Sequence, residues 1–250
     1  MNKPWDEEFE VWRNTFLDIQ AKDAEFSSLS KAWMQKAVDK KFSYQFDWMG
    51  VPIIQMPGDL VMFQDIVWKT RPDLIIETGI ARGGSLIFWA SMQKLCGING
   101  AVLGVDIDIR DHTKRAISGS QFSQQIELIQ GSSTDHDVFK KVKQFASPFK
   151  KVMIALDSNH THEHVLDELQ LYADLVSPGC ILLVLDTVID DLEADPDRPW
   201  GPGASPKSAV IQFMKSRPGI FENLSWLERR SVLSVAPNGY WLRSDKSKKE

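Results

Sequence analysis

Residues 73–85 read DLIIETGIARGGS. The stretch opens on a continuous apolar run, passes through a glycine-rich turn and enters a helical pattern. A short run without polar alternation fits a strand buried on both faces of a parallel sheet. Glycines let the chain turn tightly and let a ligand approach the backbone. In open α/β sheets ligands bind beyond the carboxyl ends of the strands. Residues 73–85 therefore predict strand, turn and helix, with a binding site at the turn.

The same pattern recurs on the C-terminal side. AVLGVDI (101–107), IELIQG (126–131), KVMIALD (151–157) and CILLVLD (180–186) are further short apolar runs. Between them GSLIFWASMQKL, DHTKRAI, DHDVFKKVKQF and THEHVLDELQLYADLV carry apolar residues at helical spacing. The alternation predicts an α/β fold, a Rossmann-like doubly wound and mostly parallel sheet. DLVMFQDIVWKT predicts a helix over 59–70, with Asp59 as N-cap and a stop before Pro72. SPKSAVIQFMKS predicts another, with Ser205 as N-cap and Pro206 in the first turn. LSWLERRSVLSVAPNGYWLRS predicts a closing antiparallel hairpin that turns near Asn238-Gly239. Residues 1–50 hold Trp5, Trp12, Trp33 and Trp48 and predict a helical extension that caps the sheet or meets another subunit. Residues 51–245 form the α/β domain, and 246–250 a flexible tail.

With 250 residues, 43% of them apolar, the chain can bury the core of one large domain. Its net charge of −5 speaks against a general nucleic-acid binder. Cys96 and Cys180 sit in apolar segments and read as buried thiols of a reducing compartment. The N-terminus lacks the apolar core of a signal peptide, and no run of 18 apolar residues offers a membrane span. A cytoplasmic protein is expected.

The turn after residue 78 has the spacing Gly79-x-x-x-Gly83-Gly84, which departs from the G-x-G-x-x-G of dinucleotide sites. It fits a nucleotide-like ligand without a pyrophosphate. Glu77 precedes it by two residues, and a carboxylate can pair with an ammonium group. S-adenosylmethionine offers an ammonium and no phosphate. Asp106 ends the second strand, where a carboxylate can accept two ribose hydroxyls. Ser132 and Ser133, after the third, are candidates to face an adenine edge. Each residue also has a plain reading as a turn or loop position. Three of the five histidines, His160, His162 and His164, follow Asp157 within a few residues. A metal cluster, a catalytic base and a solvated helix start are all open readings. Their spacing does not place three imidazoles on one helical face, which disfavours a zinc site.

RPDLIIETGIARGGSLIFWASM, VLGVDIDIR, LDSNHTHEHVLDELQLYADLVSPG and RPWGPG, in that order, together resemble the cephalosporin hydroxylase / rhamnosyl O-methyltransferase family. The resemblance covers roughly residues 45–243. It implies the class I S-adenosylmethionine-dependent methyltransferase fold, with seven strands and the last antiparallel, and makes 51–245 a catalytic domain. It implies that Glu77, Gly79, Gly83 and Ser85 line the methionine end of the cofactor and that Asp106 binds its ribose. Related metal-dependent sugar O-methyltransferases carry Asp-x-x-His after the fourth strand, here Asp157-Ser158-Asn159-His160. By that resemblance Asp157 binds magnesium and His160 acts as base. Asp186, at the end of the next strand, can converge on the same ion. Relatives tend to have two consecutive acids there, whereas this chain reads Leu185-Asp186-Thr187. The Thr187 hydroxyl is the candidate replacement, with Asp190 or Asp191 able to swing in. Trp200, between prolines in the long loop after Asp186, is a candidate acceptor contact, as are Arg82 and His162.

These features imply an S-adenosylmethionine-dependent O-methyltransferase, aided by Mg2+, that acts on a hydroxyl of a sugar or specialised metabolite in natural product biosynthesis. A homo-oligomer is expected, with no nucleic-acid or membrane partner. The rival readings are a hydroxylase component acting with a partner protein, a non-catalytic cofactor-binding subunit and, more distantly, an NAD-dependent oxidoreductase.

Overall fold

In the computed structural model the described residues are 7–245. Trp5 and the expected tail at 246–250 lie outside them. Two helices open the chain, α1 (Glu7–Lys22) and α2 (Ala24–Asp39). A short antiparallel hairpin follows, β1 (Phe46–Trp48) and β2 (Val51–Ile53). The expected division at residues 50/51 falls in the turn of this hairpin. Next come α3 (Pro57–Thr70), β3 (Leu74–Thr78), α4 (Gly84–Leu95), β4 (Ala101–Asp106) and α5 (Asp111–Ser118). They are followed by β5 (Ile126–Gln130), α6 (His136–Ala146), β6 (Val152–Leu156), α7 (His162–Tyr172) and β7 (Ile181–Val184). The described residues close with α8 (Pro206–Ser216), β8 (Phe221–Asn223), α9 (Ser225–Glu228) and β9 (Tyr240–Arg243).

The seven-stranded sheet has the order β5-β4-β3-β6-β7-β9-β8. β5 to β7 run parallel, and β9 is antiparallel to both β7 and β8. The continuous apolar runs account for the middle strands, since every residue of β3, β6 and β7 is buried. Alternate side chains serve opposite layers. Ile75 and Met153 join Phe63 of α3 and Ile87 of α4, while Ile76 and Ile154 join Leu169 of α7 and Phe213 of α8. Strand order reverses at β3, so the ends of β3, β4 and β6 open the crevice in which such sheets bind ligands.

Three expectations are corrected. α3 begins at Pro57 behind Met56, and Asp59 is not its cap. Asp59 is fully buried and accepts the Val235 N–H at 2.8 Å and the Tyr240 hydroxyl at 3.2 Å. The carboxylate of a cap and that of an internal tie look alike in sequence. The closing hairpin does not form over 224–244, because β8 precedes Leu224. Residues 224–239 carry α9 and a series of turns before β9 begins. Asn238 does take the left-handed conformation, with φ 63°, but it leads into β9 and closes no two-residue loop. By contrast, α8 begins as expected, with Ser205 and Ser208 forming a reciprocal cap behind Pro206.

The hairpin is fixed to the sheet through α4. Trp48 donates to Ser91 Oγ at 3.1 Å and packs edge-on against Phe88. α1 buries none of its residues. Phe9, Trp12, Phe16 and Ile19 are each about half exposed, and Asp18 and Gln20 hold the helix to Arg229.

Candidate active site

The site is built from strand ends. β3 delivers Glu77 and then Gly79, which has φ 79°. A Cβ on Gly79 would lie 2.1 Å from the Asp157 carbonyl oxygen, so the β3 turn and the end of β6 meet backbone to backbone. The loop continues through Ala81, a non-glycine residue held at φ 44°. Such strain is retained only where surrounding structure over-determines it, and it concentrates at functional sites. Beside this loop lies a small open cleft. Gly79 to Arg82, Ser85 and Asp157 line it on one side; Pro52, Ile54 and Gln55 line it on the other.

Glu77 lies behind this cleft, 1% exposed. Ser85 Oγ and Trp89 Nε1 donate to its two oxygens. Burial pushes its pKa up to about 7, with Asp106 adding repulsion and the two donors opposing the shift. Glu77 therefore braces the start of α4, while Gly79 and Ser85 face the cleft. Asp106 accepts the Ile80 and Ala81 amides on Oδ2, at 2.9 and 3.3 Å, and the Asp108 amide on Oδ1 at 3.0 Å. It is partly exposed at the end of β4. Arg82 lies at the rim, 2.9 Å from His112 Nε2. Ser132 is partly exposed, whereas Ser133 is buried at 4%. Ser133 Oγ lies 3.1 Å from His164 Nε2 and 3.5 Å from Ser158 Oγ. The adenine-facing expectation is left with Ser132 alone.

β6 and β7 are neighbours, and their ends bring Asp157, His160 and Asp186 together. One ligand atom from each lies within 4.8 Å of the others. His160 Nε2 is 2.7 Å from Asp186 Oδ2. Burial would depress the His160 pKa, but the Asp186 carboxylate outweighs it and holds the ring above its ordinary value. Asp157 is held well above the carboxylate range by desolvation, then by Asp186, Glu77 and Glu168; the Gln55 hydrogen bond opposes this. Asp186 itself sits at φ 55°, a second strained residue at the same place. A cation offsets exactly such crowding of carboxylates. Two hard oxygens beside an imidazole fit a divalent ion that keeps some of its waters.

Other expected members do not reach the cluster. Thr187 is fully buried, and its hydroxyl donates to the Pro237 carbonyl at 2.7 Å. It cannot replace the missing acid. Asp190 Oδ1 accepts from Gly203 N–H and Ser205 Oγ, and Asp191 pairs with Lys207 at 2.7 Å. Neither swings in. His162, expected at the acceptor, spends both ring nitrogens on α8, with Ser208 Oγ at 2.7 Å and Gln212 Oε1 at 3.1 Å. His164 joins Ser133, Ser158 and Glu168 in a polar network beneath the Asp157 loop. Trp200 does reach the site, packing edge-on over His160 with ring centres 4.9 Å apart. Arg198 stacks on its indole at 5.3 Å. Gln55, absent from the sequence reading, donates to Asp157 Oδ2 at 3.2 Å.

The sheet order, the glycine turn after β3, the acid ending β4 and the cluster at the ends of β6 and β7 define a Rossmann-like methyltransferase. The sequence matches the rhamnosyl O-methyltransferase/CmcI family over residues 40–244, and the chain belongs to that family. It is accordingly an O-methyltransferase. The rhamnosyl O-methyltransferase of Mycobacterium leprae is 28% identical over 197 residues, covering 78% of this chain and 82% of that protein. The namesake enzyme of Mycobacterium tuberculosis (strain H37Rv) is also 28% identical, over 79% of this chain and 78% of its own. Among solved structures, CmcI with magnesium and S-adenosylmethionine superposes with a TM-score of 0.59 at 18% identity, covering 81% of this chain and 78% of that one. That likeness is one of fold. No helix among the described residues is long and apolar enough to cross a membrane.

Proposed function

We propose that the protein transfers a methyl group from S-adenosylmethionine to a hydroxyl of a sugar or specialised metabolite, with a divalent cation, Mg2+, assisting. The observation that carries the reading is the meeting of Asp157, His160 and Asp186 at the edge of the glycine-lined cleft. Gly79, Gly83 and Ser85 take the methionine end of the cofactor, Asp106 its ribose and Ser132 its adenine. Asp157 and Asp186 hold the cation, which when bound polarises the acceptor oxygen. His160 takes the hydroxyl proton. Its Nε2 is engaged by Asp186, which leaves Nδ1 as the accepting nitrogen. The new C–O bond forms as the S–C bond breaks, and the electron pair stays on sulfur. Trp200 and Arg82 border the acceptor, an indole face being suited to the C–H face of a sugar. Naming of the curated relatives as rhamnosyl O-methyltransferases supports a sugar acceptor.

Calorimetric titration with S-adenosylmethionine, with and without Mg2+ and beside NAD, tests the reading. Micromolar binding of the first and none of NAD is expected; folded protein that binds neither overturns it. Asp157→Ala should abolish turnover and spare cofactor affinity, and Asp106→Ala should weaken that affinity. Normal turnover in Asp157→Ala removes the cluster from the mechanism.

The quaternary reading is a homo-oligomer formed through the N-terminal helices. α1 buries none of its residues, whereas helices in proteins gain most of their stability by packing an apolar face. Its half-exposed Phe9, Trp12, Phe16 and Ile19 follow the 3–4–3 spacing of a helix–helix seam. A monomeric mass by light scattering counts against it. Unpaired Cys96 and Cys180 agree with a reducing, cytoplasmic setting.

A further inference from the structure

Gln55 follows β2 and enters the site from outside the seven-stranded sheet. Its side chain is 5% exposed. Nε2 donates to Asp157 Oδ2 at 3.2 Å. Oε1 is buried and has no hydrogen-bond partner. The same residue lines the cleft beside Gly79 and Ser85. Asp157 must be ionised to hold a cation, and only the amide nitrogen can donate to an ionised carboxylate, so in the cation-binding state chemistry fixes which end faces Asp157. The carbonyl end is then an acceptor in a place where native proteins seldom leave one unmade.

The hairpin that carries Gln55 is held in place. Gly84 opens α4 under Pro52, whose carbonyl oxygen would lie 2.3 Å from any Cβ at residue 84. Trp48 anchors the other strand on Ser91. Gln55 is thus one end of a supported element, aimed at the boundary between the cofactor cleft and the carboxylate cluster.

We propose that Gln55 is a positioning residue that couples these two halves of the site. Its amide N–H holds Asp157 for the cation, and its Oε1 accepts a hydrogen bond from the ammonium group of the cofactor. This rests on the reading of S-adenosylmethionine and cation binding given above. An ammonium has three donors and no acceptor, which suits an unmatched carbonyl at the methionine end. Each ligand fixes the amide in the orientation the other needs, so binding of one favours binding of the other, reciprocally.

The test is calorimetric titration of S-adenosylmethionine into the full-length protein, with and without Mg2+, for wild type and Gln55→Met. Methionine keeps the volume and loses both polar ends. In wild type, Mg2+ should tighten cofactor binding about fivefold or more. In Gln55→Met that coupling should vanish, and Mg2+ affinity should fall about tenfold or more, as loss of a ligand's hydrogen-bond partner does elsewhere. Gln55→Leu repeats the test if the first variant does not fold, judged by thermal melting. A purely structural role lowers the melting point and leaves coupling intact. Retained coupling in a folded variant overturns the proposal, as does a wild type that binds cofactor without any effect of Mg2+. A wild type that binds no cofactor overturns the preceding reading itself.

Discussion

Replacing Gly79 by alanine should damage both the fold and the cluster, by an amount the structure allows to be worked out. At φ 79° an L side chain is in the left-handed region, which costs about 1–2 kcal/mol. The new methyl would also lie 2.1 Å from the Asp157 carbonyl oxygen and 2.5 Å from Ser158 Cα. These are backbone atoms of a parallel strand end, so they cannot rotate aside. Overpacking of this kind adds about 1–3 kcal/mol. A total of about 2–5 kcal/mol corresponds to a fall in Tm of roughly 4–20 °C in a chain of this size. Gly97→Ala is the control. It has φ 66° and open space around the site of the new methyl, so only the first cost applies, roughly 2–8 °C. Because the clash is with Asp157, Gly79→Ala should also weaken Mg2+ binding, and Gly97→Ala should not. Differential scanning calorimetry and metal titration read both effects. Equal melting points for the two variants, or unchanged Mg2+ affinity in Gly79→Ala, would refute the close approach as the reason for glycine.

Glu77 makes stability depend on pH. Its pKa is near 7 when folded and 4.5 when free, so the native state holds the proton longer. Stability should be greatest below about pH 4.5 as far as this group is concerned. It should fall as pH rises to about 7, by about 3 kcal/mol in all. Urea melts of wild type and Glu77→Gln across that range should differ in slope; parallel curves contradict the assignment. Asp59→Ala strips a buried acceptor from Val235 N–H and the Tyr240 hydroxyl. Two unmatched donors should cost about 3 kcal/mol, read as a lower urea midpoint with accelerated hydrogen exchange around residues 235–240. Unchanged exchange there would mean that Asp59 does not tie down this segment.

The parallel strands were legible because each is a run of apolar residues with nowhere to go but a doubly covered sheet. Asp157 and Asp186 were legible for the same reason, since a strand that ends in a carboxylate puts it at the crevice. His160 follows from Asp157 by chain proximity. Other positions depend on partners far along the chain. His162 belongs to α8 through Ser208, 46 residues on, and Thr187 to Pro237, 50 residues on. Neither attachment leaves a local pattern. Gln55 escaped because β1 and β2 have three residues each, too few to show a period. Asp59 misled because it sits where a cap belongs. The missing second acid beside Asp186 was legible from the family resemblance, but the left-handed backbone of Asp186 appears only in three dimensions.

The place of β9 has a consequence for how the chain is made. Among the described residues, the strand latest in the sequence does not lie at an edge; it is inserted between β7 and β8. Until residues 235–243 leave the ribosome, β7 is an open border, the kind of edge that recruits strands from other chains. The Asp186 turn is equally unfinished. Val184 N–H, Thr187 and Val188 N–H all take their partners from Val235 to Gly239. A nascent chain can therefore assemble its glycine turn early, while the second carboxylate of the cluster gains its final geometry only with the closing segment. Translation that stops just short of Val235 leaves both a sticky border and an unset Asp186, so loss of the segment from Val235 on should cost solubility and activity together.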